Sequence, residues 1–341
     1  MHTSVVSKEN SSVSQTESKS PTSRMLSQTA SIKLSFVNIV LTILIVWLHV
    51  SSYYDLPESV GNIAIISVPC FFAISSYLYF ISFNFEDVFG CYKSKLRTRV
   101  KSLLIPFIIF NILGLIFSLI AYKVHPTDYN PIEELTLSRI PMLLYRSQFN
   151  GPLWYMRALF EFVIFAPVIG WILSRHKYSL LIVLPFYFIC GTISYFSFLH
   201  WMIPICLGAY LAIYHNEVIS LYNRMPRLLK WGGVIISGLA LLLIDDVFLI
   251  RSIAPICILC IVAPLKSLPH SGLSLIAPYT MIIYCLHLPL SRLTSKIPVF
   301  VGLSSLTSLL IATILTIVLC ILIGMILKRS TKIWTILTGG R

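Results

Sequence analysis

Two histidines lie within apolar stretches that are long enough to cross a lipid bilayer. His49 closes the run NIVLTILIVWLH, and His287 lies in TMIIYCLHLPL. An ionisable side chain at membrane depth costs on the order of a few kcal/mol, so its presence there indicates a functional site. A neutral imidazole accepts a proton near neutral pH and serves as a general base. The two residues are therefore candidate acid–base groups of a catalytic site inside the membrane.

Each histidine shares a helical face with other polar side chains. Because an α-helix turns by about 100° per residue, Asn38 and Thr42 fall on the face of His49, and Tyr284 falls on the face of His287. A polar stripe within a span points at a cavity or at other helices. We predict that Tyr284 and His287 orient the reacting groups, and that Asn38 contacts a bound ligand through a hydrogen bond.

Two further charged side chains lie within the apolar segment GPLWYMRALFEF. Arg157 and Glu161 lie four residues apart, a spacing at which opposite charges pair on one helical face. Arg157, with Glu161 beside it, is a candidate catalytic cation that stabilises a developing oxyanion. The alternative is an internal ion pair with a structural role.

Side chains from three separate spans are candidates for the substrate-binding wall. They are Trp154, Tyr155, Ser75 and Arg251. For Arg251 the alternative is an arginine that snorkels to the membrane surface. For the segment around Ser75 the alternative is a kink at Pro69 that serine hydroxyls satisfy.

A cationic patch precedes the third apolar segment, in the sequence KSKLRTRVKSLLIPF. It contains Lys93 and four further basic residues that are the candidate ligands, Lys95, Arg97, Arg99 and Lys101. Arginine binds phosphate through two parallel hydrogen bonds, so the patch is a candidate site for the phosphates of a cytoplasmic ligand. The alternative is a plain topological anchor of the kind that cytoplasmic span ends carry.

Composition excludes a soluble fold. Of the 341 residues, 57% are hydrophobic and 11% are charged, and the mean hydropathy is +0.85. A soluble domain carries about 25% charged residues. Because a span needs about 20 mostly apolar residues, we predict an all-α integral membrane protein with about ten transmembrane helices. The predicted spans are 34–53, 62–83, 103–122, 152–173, 179–196, 199–214, 232–244, 247–265, 275–294 and 303–327.

Charges at the span ends predict the topology. Most Lys and Arg residues fall on the side of the membrane that holds the N-terminus. Cytoplasmic loops collect positive charge, so both termini are predicted to be cytoplasmic. The net charge of +13 then reflects topology, and no nucleic-acid partner is expected. Residues 1–31 are predicted as a disordered cytoplasmic tail, 32–330 as the polytopic membrane domain, and 331–341 as a cytoplasmic C-terminal tail.

The eight cysteines do not predict a metal centre. Most lie in apolar runs, and Cys257 and Cys260 form a CxxC within one of them. Buried cysteine usually serves as a small hydrophobic residue. No second pair completes a zinc site.

Five segments, in this order along the chain, resemble motifs of one membrane enzyme family. They are NIVLTILIVWLH, SVPCFFAISSYL, KLRTRVKSLLIPF, PLWYMRALF and TMIIYCLHLPL. Over residues 31–330 the chain is thus similar to the acyltransferase-3 family, whose members modify surface polysaccharides. That family often has an arginine eleven residues before the first histidine, where this chain has Asn38, which keeps hydrogen-bonding capacity but carries no charge.

The resemblance implies a membrane-embedded O-acyltransferase of the bacterial inner membrane, surrounded by membrane lipid. It implies acetyl-CoA as co-substrate, no permanently bound cofactor, and an acceptor hydroxyl on a lipid-linked or polymeric cell-envelope glycan such as O-antigen. On this hypothesis the four candidate ligands Lys95, Arg97, Arg99 and Lys101 hold the donor phosphates at the inner surface. The pantetheine arm of the donor then reaches up to His49. Direct transfer with His49 as base and transient acylation of His49 both remain open.

Two other functions, a transporter or flippase and a structural subunit, share some of these features. Polar stripes and ionisable residues at membrane depth also occur in transporters and flippases. Many transporters carry an inverted repeat with matching interrupted helices, and the sequence contains no such pair. A structural subunit of a polysaccharide-export complex would need neither the two histidine stripes nor a phosphate-sized basic patch.

Overall fold

The computed structural model describes residues 28–124, 135–182, 185, 193–215, 224–243, 247–265 and 270–340. The structure is 83% helix, and no strand occurs within these ranges. The predicted all-α class is therefore confirmed. Apolar runs of this length form helices in lipid because a helix satisfies its backbone hydrogen bonds internally.

Fifteen helices are assigned within the described part of the chain. They are α1 (Gln28–Ser51), α2 (Glu58–Asn62), α3 (Ser67–Phe80), α4 (Val88–Arg99), α5 (Ile105–Val124), α6 (Ile140–Arg146), α7 (Trp154–Ser174), α8 (Met202–Tyr214), α9 (Arg227–Leu243), α10 (Val247–Val262), α11 (His270–Ile276), α12 (Thr280–Thr294), α13 (Lys296–Phe300), α14 (Ser305–Lys328) and α15 (Thr331–Thr338). Short 3-10 turns lead into α3, α7, α8 and α12.

Six helical stretches of the described chain are long and apolar enough to cross a membrane. They are Gln28–Ser51, Glu58–Phe80, Val88–Val124, Gly151–Ser174, Ser274–Phe300 and Ser305–Lys328. The predicted spans 199–214, 232–244 and 247–265 correspond to the shorter helices α8, α9 and α10. Half of the predicted span 179–196 lies outside the described residues. A multi-pass membrane protein is thus supported, while the count of ten and the orientation of the termini stay predictions.

α4 and α5 form one continuous helical stretch that a wider π-helical turn joins at Val100–Leu104. In this turn the N–H of Ile105 donates to the carbonyl of Val100, five residues back. Pro106 follows directly and has no N–H, and its ring crowds the preceding turn of a regular α-helix. The wider turn accommodates the proline, and the cationic α4 therefore leads without a break into the membrane helix α5.

The C-terminal segment, which we predicted only as a tail, forms the helix α15 and packs against this π turn. Trp334 and Leu337 of α15 are buried. The helix ends at Gly339 with φ 69°, where a Cβ atom would collide with Ser102 of the π turn. Only glycine combines a left-handed backbone with such a close approach.

α3 and α8 pack closely against each other. A Cβ atom on Gly208 of α8 would collide with the carbonyl oxygen of Ala73 in α3. One turn away, the hydroxyl of Ser76 donates to the carbonyl of Ile205 at 2.7 Å. Small residues at a crossing let two helix backbones approach in lipid, where packing replaces the hydrophobic effect between helices.

Gly208→Ala is expected to destabilise the protein by about 1–3 kcal/mol, because the added methyl group overpacks the α3–α8 contact. Thermal unfolding of the detergent-purified protein measures the effect. Gly238→Ala is the matched control, since Gly238 also lies within a helix and a Cβ there meets nothing within 4 Å. Equal melting temperatures for the two variants would contradict the packing argument.

α1 and α12 run side by side, and two hydrogen bonds hold the C-terminal end of α12 in place. Beyond the end of α1, the hydroxyl of Tyr54 donates to the carbonyl of Ser295 at 2.9 Å. Burial raises the pKa of Tyr54, so its phenol stays protonated and keeps donating. The hydroxyls of Thr294 in α12 and Thr316 in α14 lie 2.7 Å apart. The first contact ties the chain after α1 to the end of α12, and the second ties α12 to α14.

Candidate active site

The two histidines that we predicted as reacting groups lie against each other. The ring centroids of His49 in α1 and His287 in α12 are 5.0 Å apart, and the ring planes meet at 43°. His287 is fully buried, with 0% of its surface exposed. His49 is only half-buried, so it is the member of the pair that a substrate can reach.

The ring of His287 is locked by its own helix. Its Nδ1 lies 2.8 Å from the carbonyl oxygen of Tyr284 and 3.2 Å from that of Ile283. A carbonyl oxygen only accepts, so in the neutral ring Nδ1 carries the proton and Nε2 carries the lone pair. Within the described residues Nε2 is buried and has no hydrogen-bond partner. His287 therefore presents an unused acceptor inside the site.

Asn150 supports the turn of α12 that carries His287, and sequence reasoning missed it. Pro289 lies inside α12 and has no N–H, so the carbonyl of Cys285 loses its partner in the helix. The side-chain Nδ2 of Asn150 donates to that carbonyl at 3.0 Å, and Asn150 is only 2% exposed. The spacing of Cys285 and Pro289 signals an orphaned carbonyl, but it does not indicate which residue satisfies it.

A cavity of about 500 Å³ lies next to the histidine pair. Its lining residues come from several elements: Asn38, Thr42, Phe71, Ile74, Ser75, Leu78, Tyr79, Arg99, Leu103, Tyr155, Met156, Leu159, Phe162, Val163, Ala277, Pro278, Thr280, Met281 and Tyr284. The histidines are not among them. Tyr284 precedes His287 by three residues, which is about 4.5 Å along the helix. The histidine pair therefore lies roughly one helical turn beyond this cavity.

Three of the predicted site residues meet where the cavity approaches the histidines. The hydroxyls of Ser75 and Tyr155 lie 3.1 Å apart, and the rings of Tyr155 and Tyr284 meet edge to face at 5.8 Å. The hydroxyl of Tyr284 donates to the carbonyl of Pro152. The Tyr284 ring is 6.1 Å from that of His287. These side chains form a polar layer between the cavity and the histidine pair.

Of the four predicted phosphate-binding residues, Arg99 lines the cavity. The ammonium of Lys95 donates to the hydroxyl of Ser82 at 2.8 Å. Arg97 and Lys101 are exposed on the surface of the same helical stretch. Asn38, the other residue that we predicted to contact the donor, lines the cavity as well. The cavity thus connects one arginine of the patch with the polar layer.

Arg157 and Glu161 belong to a cluster of their own. The guanidinium of Arg157 donates to the carbonyls of Tyr145 at 2.7 Å and Phe196 at 2.6 Å. Its Nε lies 3.3 Å from the carboxylate of Glu161, which accepts from the hydroxyl of Tyr145 at 2.9 Å. Burial, and then the bond to Glu161, raises the pKa of Tyr145. These contacts tie α6 and the segment around Phe196 to α7, and they favour the structural alternative for the pair.

The remaining two candidates are placed differently. Trp154 is buried in an aromatic cluster, with its ring 5.1 Å from Tyr195 and 6.1 Å from Trp201. It is not among the residues that line the cavity, so its contacts are those of a core side chain. Arg251 lies in α10, but its side chain is outside the described part of the structure.

Within the described residues no group of three or more His, Cys, Asp or Glu side chains is arranged to hold a metal ion. Cys257 and Cys260 are both free thiols on α10.

Residues 33–325 match a family model described as an acyltransferase domain, that of the acyltransferase-3 family. The match includes His49, Arg99, Asn150 and His287. No curated protein and no solved structure matches this chain.

Proposed function

Because this chain belongs to the acyltransferase-3 family, we propose that it transfers an acyl group from a cytoplasmic acyl-CoA to a hydroxyl of a cell-envelope glycan. Acetyl is the proposed acyl group and acetyl-CoA the proposed donor. The acceptor is a lipid-linked or polymeric glycan presented at the outer side of the bacterial inner membrane. The observation that carries this proposal is the His49–His287 pair, one helical turn beyond a cavity that Arg99 lines.

In the proposed reaction His49 acts as the general base. The acceptor hydroxyl gives its proton to the unprotonated ring nitrogen of His49 while its oxygen attacks the thioester carbonyl carbon. A C–O bond forms, and collapse of the resulting oxyanion breaks the C–S bond. The thiolate leaves and takes the proton back from His49. The products are the O-acylated glycan and free CoA thiol, and the histidine is regenerated.

His287 positions His49 in this mechanism. Its Nε2 has no hydrogen-bond partner in the described structure and is held in place by the carbonyl bond at Nδ1. A small rotation of the facing His49 ring lets one His49 N–H donate to this acceptor. The other nitrogen of His49 is then fixed as the proton acceptor. Catalytic hydrogen bonds are often longer in the absence of substrate, and they tighten when substrate binds.

The donor enters through the cavity of about 500 Å³. Its phosphates are bound near Arg99, since a guanidinium suits phosphate in geometry and charge. Its thioester end passes Asn38 and reaches the polar layer of Ser75, Tyr155 and Tyr284. Ser75 and Tyr155 contribute hydroxyls that orient the acyl group there.

Arg99→Ala is expected to weaken acyl-CoA binding by about tenfold or more, because a hydrogen bond to a charged group contributes about 1.5–3 kcal/mol. Titration of the purified protein with acetyl-CoA measures the dissociation constant. Lys93→Ala removes an exposed cation from the same helix, α4, and is the control. Equal affinity in the two variants would leave the patch with its topological role alone.

The direct test of the proposed function uses purified wild-type protein with acetyl-CoA labelled in the acetyl group and a glycan-lipid acceptor. The expected result is label in the glycan and one free thiol for each ester formed. A transporter or flippase would move its substrate across vesicles without cleaving the thioester, and that outcome would refute the proposal. Label found on His49 itself after rapid denaturation near neutral pH would indicate the acyl-histidine route instead of direct transfer.

A further inference from the structure

A second cavity, of about 120 Å³, lies between α1, α3, α8 and α10. Its lining residues are Ala30, Lys33, Leu34, Val37, Cys70, Ala73, Ile74, Tyr77, Leu207, Gly208, Leu211, Pro255, Ile258, Leu259, Val262 and Ala263. Almost all of these side chains are apolar, and Lys33 is the charged member of the set. The proposed acyl transfer makes no use of this cavity.

Lys33 is buried, with 8% of its surface exposed. Its ammonium donates to the carbonyl of Ala263 at 2.5 Å. No carboxylate of the described chain lies within ion-pair distance of it. A buried charge is costly unless an opposite charge compensates it. The described structure provides one carbonyl dipole for this ammonium and no counter-charge, so an anion from outside the chain would complete the site.

The cation lies at one end of the cavity. Lys33 is in the second turn of α1, and Ala263 follows the last residue of α10. Both positions are at helix ends, and Gln28–Ser51 is long and apolar enough to cross a membrane, so that its ends would lie at the level of the lipid headgroups. From Ala263 the lining of α10 extends back to Pro255, about 12 Å along the helix axis. The cavity is therefore apolar along its length and cationic at its headgroup end.

We propose that this cavity binds one chain of an anionic phospholipid, with the lipid phosphate group at the Lys33 ammonium. The ligand has to be amphiphilic because the walls are apolar and the end is charged. Its charge has to be negative because Lys33 has no counter-charge in the described chain. The proposal does not depend on the acyl transfer, since Lys33 does not line the larger cavity and Ile74 is the lining residue that the two cavities share.

Native mass spectrometry of the full chain in mixed micelles tests this site. Phosphatidylglycerol and phosphatidylcholine with identical chains compete for the protein. Wild type is expected to retain phosphatidylglycerol at least about fivefold more than phosphatidylcholine, the preference that one cation near an anionic lipid provides. Lys33→Met keeps the length of the side chain and is expected to abolish this preference. Retention of the preference in Lys33→Met would overturn the proposal.

Two further variants keep the test decisive if Lys33→Met does not fold. Lys33→Arg preserves the charge and is expected to keep the preference. Leu259→Trp fills the cavity, leaves Lys33 in place, and is expected to reduce retention of both lipids. Lys332→Met, on the exposed face of α15, is the control for simple loss of one positive charge. Stronger retention of a free fatty acid than of phosphatidylglycerol would contradict the phospholipid assignment.

Discussion

His49→Ala is expected to lower acyl transfer by about 10²–10⁴-fold, the contribution of a positioned general base. The glycan hydroxyl is a weak nucleophile near neutral pH, so the reaction depends on removal of its proton during attack. His49 is the half-buried member of the pair and faces His287 at 5.0 Å. The measurement is the rate of ester formation by purified protein, accompanied by glycan O-acetylation in cells at matched protein level.

The proposed positioning role of His287 predicts how His287 variants affect the rate of acyl transfer. If His287 acts through His49, the double variant His49→Ala with His287→Ala will be no slower than His49→Ala alone, because residues that act as a unit are not additive. His287→Asn keeps a donor near the carbonyl of Tyr284 while it removes Nε2. That variant is expected to fold normally and to lose most of the activity.

His176→Ala is the matched control for the histidine variants. His176 is exposed just beyond the end of α7, and its ring centroid lies 5.1 Å from that of Tyr178, with the planes tilted by 34°. It is not among the residues that line the cavity. Its activity should equal that of wild type. Normal glycan acetylation by His49→Ala at wild-type expression would remove His49 from the mechanism.

Asn150→Ala is expected to cost about 1–3 kcal/mol of stability, the penalty for a buried polar group left without a partner. The group in question is the carbonyl of Cys285, whose partner within α12 is removed by Pro289. Since His287 lies on the same turn, the variant is also expected to lose about tenfold or more in the rate of transfer at unchanged affinity for the donor. A shift of about 1 Å in a reacting group can cost about 10²-fold.

The double variant Asn150→Ala with Pro289→Ala isolates this cause. Alanine at 289 restores the backbone N–H that donates to Cys285, so the double variant should recover more than half of the lost stability. Thermal unfolding measures the recovery, and the transfer rate shows whether His287 regains its position. Additive effects of the two substitutions would show that Asn150 acts on something other than the Cys285 carbonyl.

Much of the fold could be predicted because the relevant signals are local. Length and hydropathy located α1, α5, α7, α12 and α14, since a segment must satisfy its own backbone in lipid. The family prediction from five ordered motifs was confirmed by the match over residues 33–325. Helical periodicity also placed Asn38 with Thr42 correctly on one face, and both line the larger cavity.

The same local signals could not tell which polar side chains meet. Arg157 has the charge that an oxyanion requires, yet its partners are the carbonyls of Tyr145 and Phe196. Five basic residues share one patch, and Arg99 is the one that lines the cavity. These outcomes depend on helix rotation and on loops that return from elsewhere in the chain, which helical periodicity does not encode.

The sequence by itself determined the helical membrane class, the family, and the choice of both histidines as candidate reacting groups. Each of these depends on residue types within local segments of the chain. Only the tertiary structure decided that His49 faces His287, that Asn150 satisfies Cys285 from 135 residues away, and that Lys33 is buried at the end of an apolar cavity. Those contacts join separate helices. Their geometry follows from close packing at contacts such as Gly208 against Ala73, which no single helix specifies.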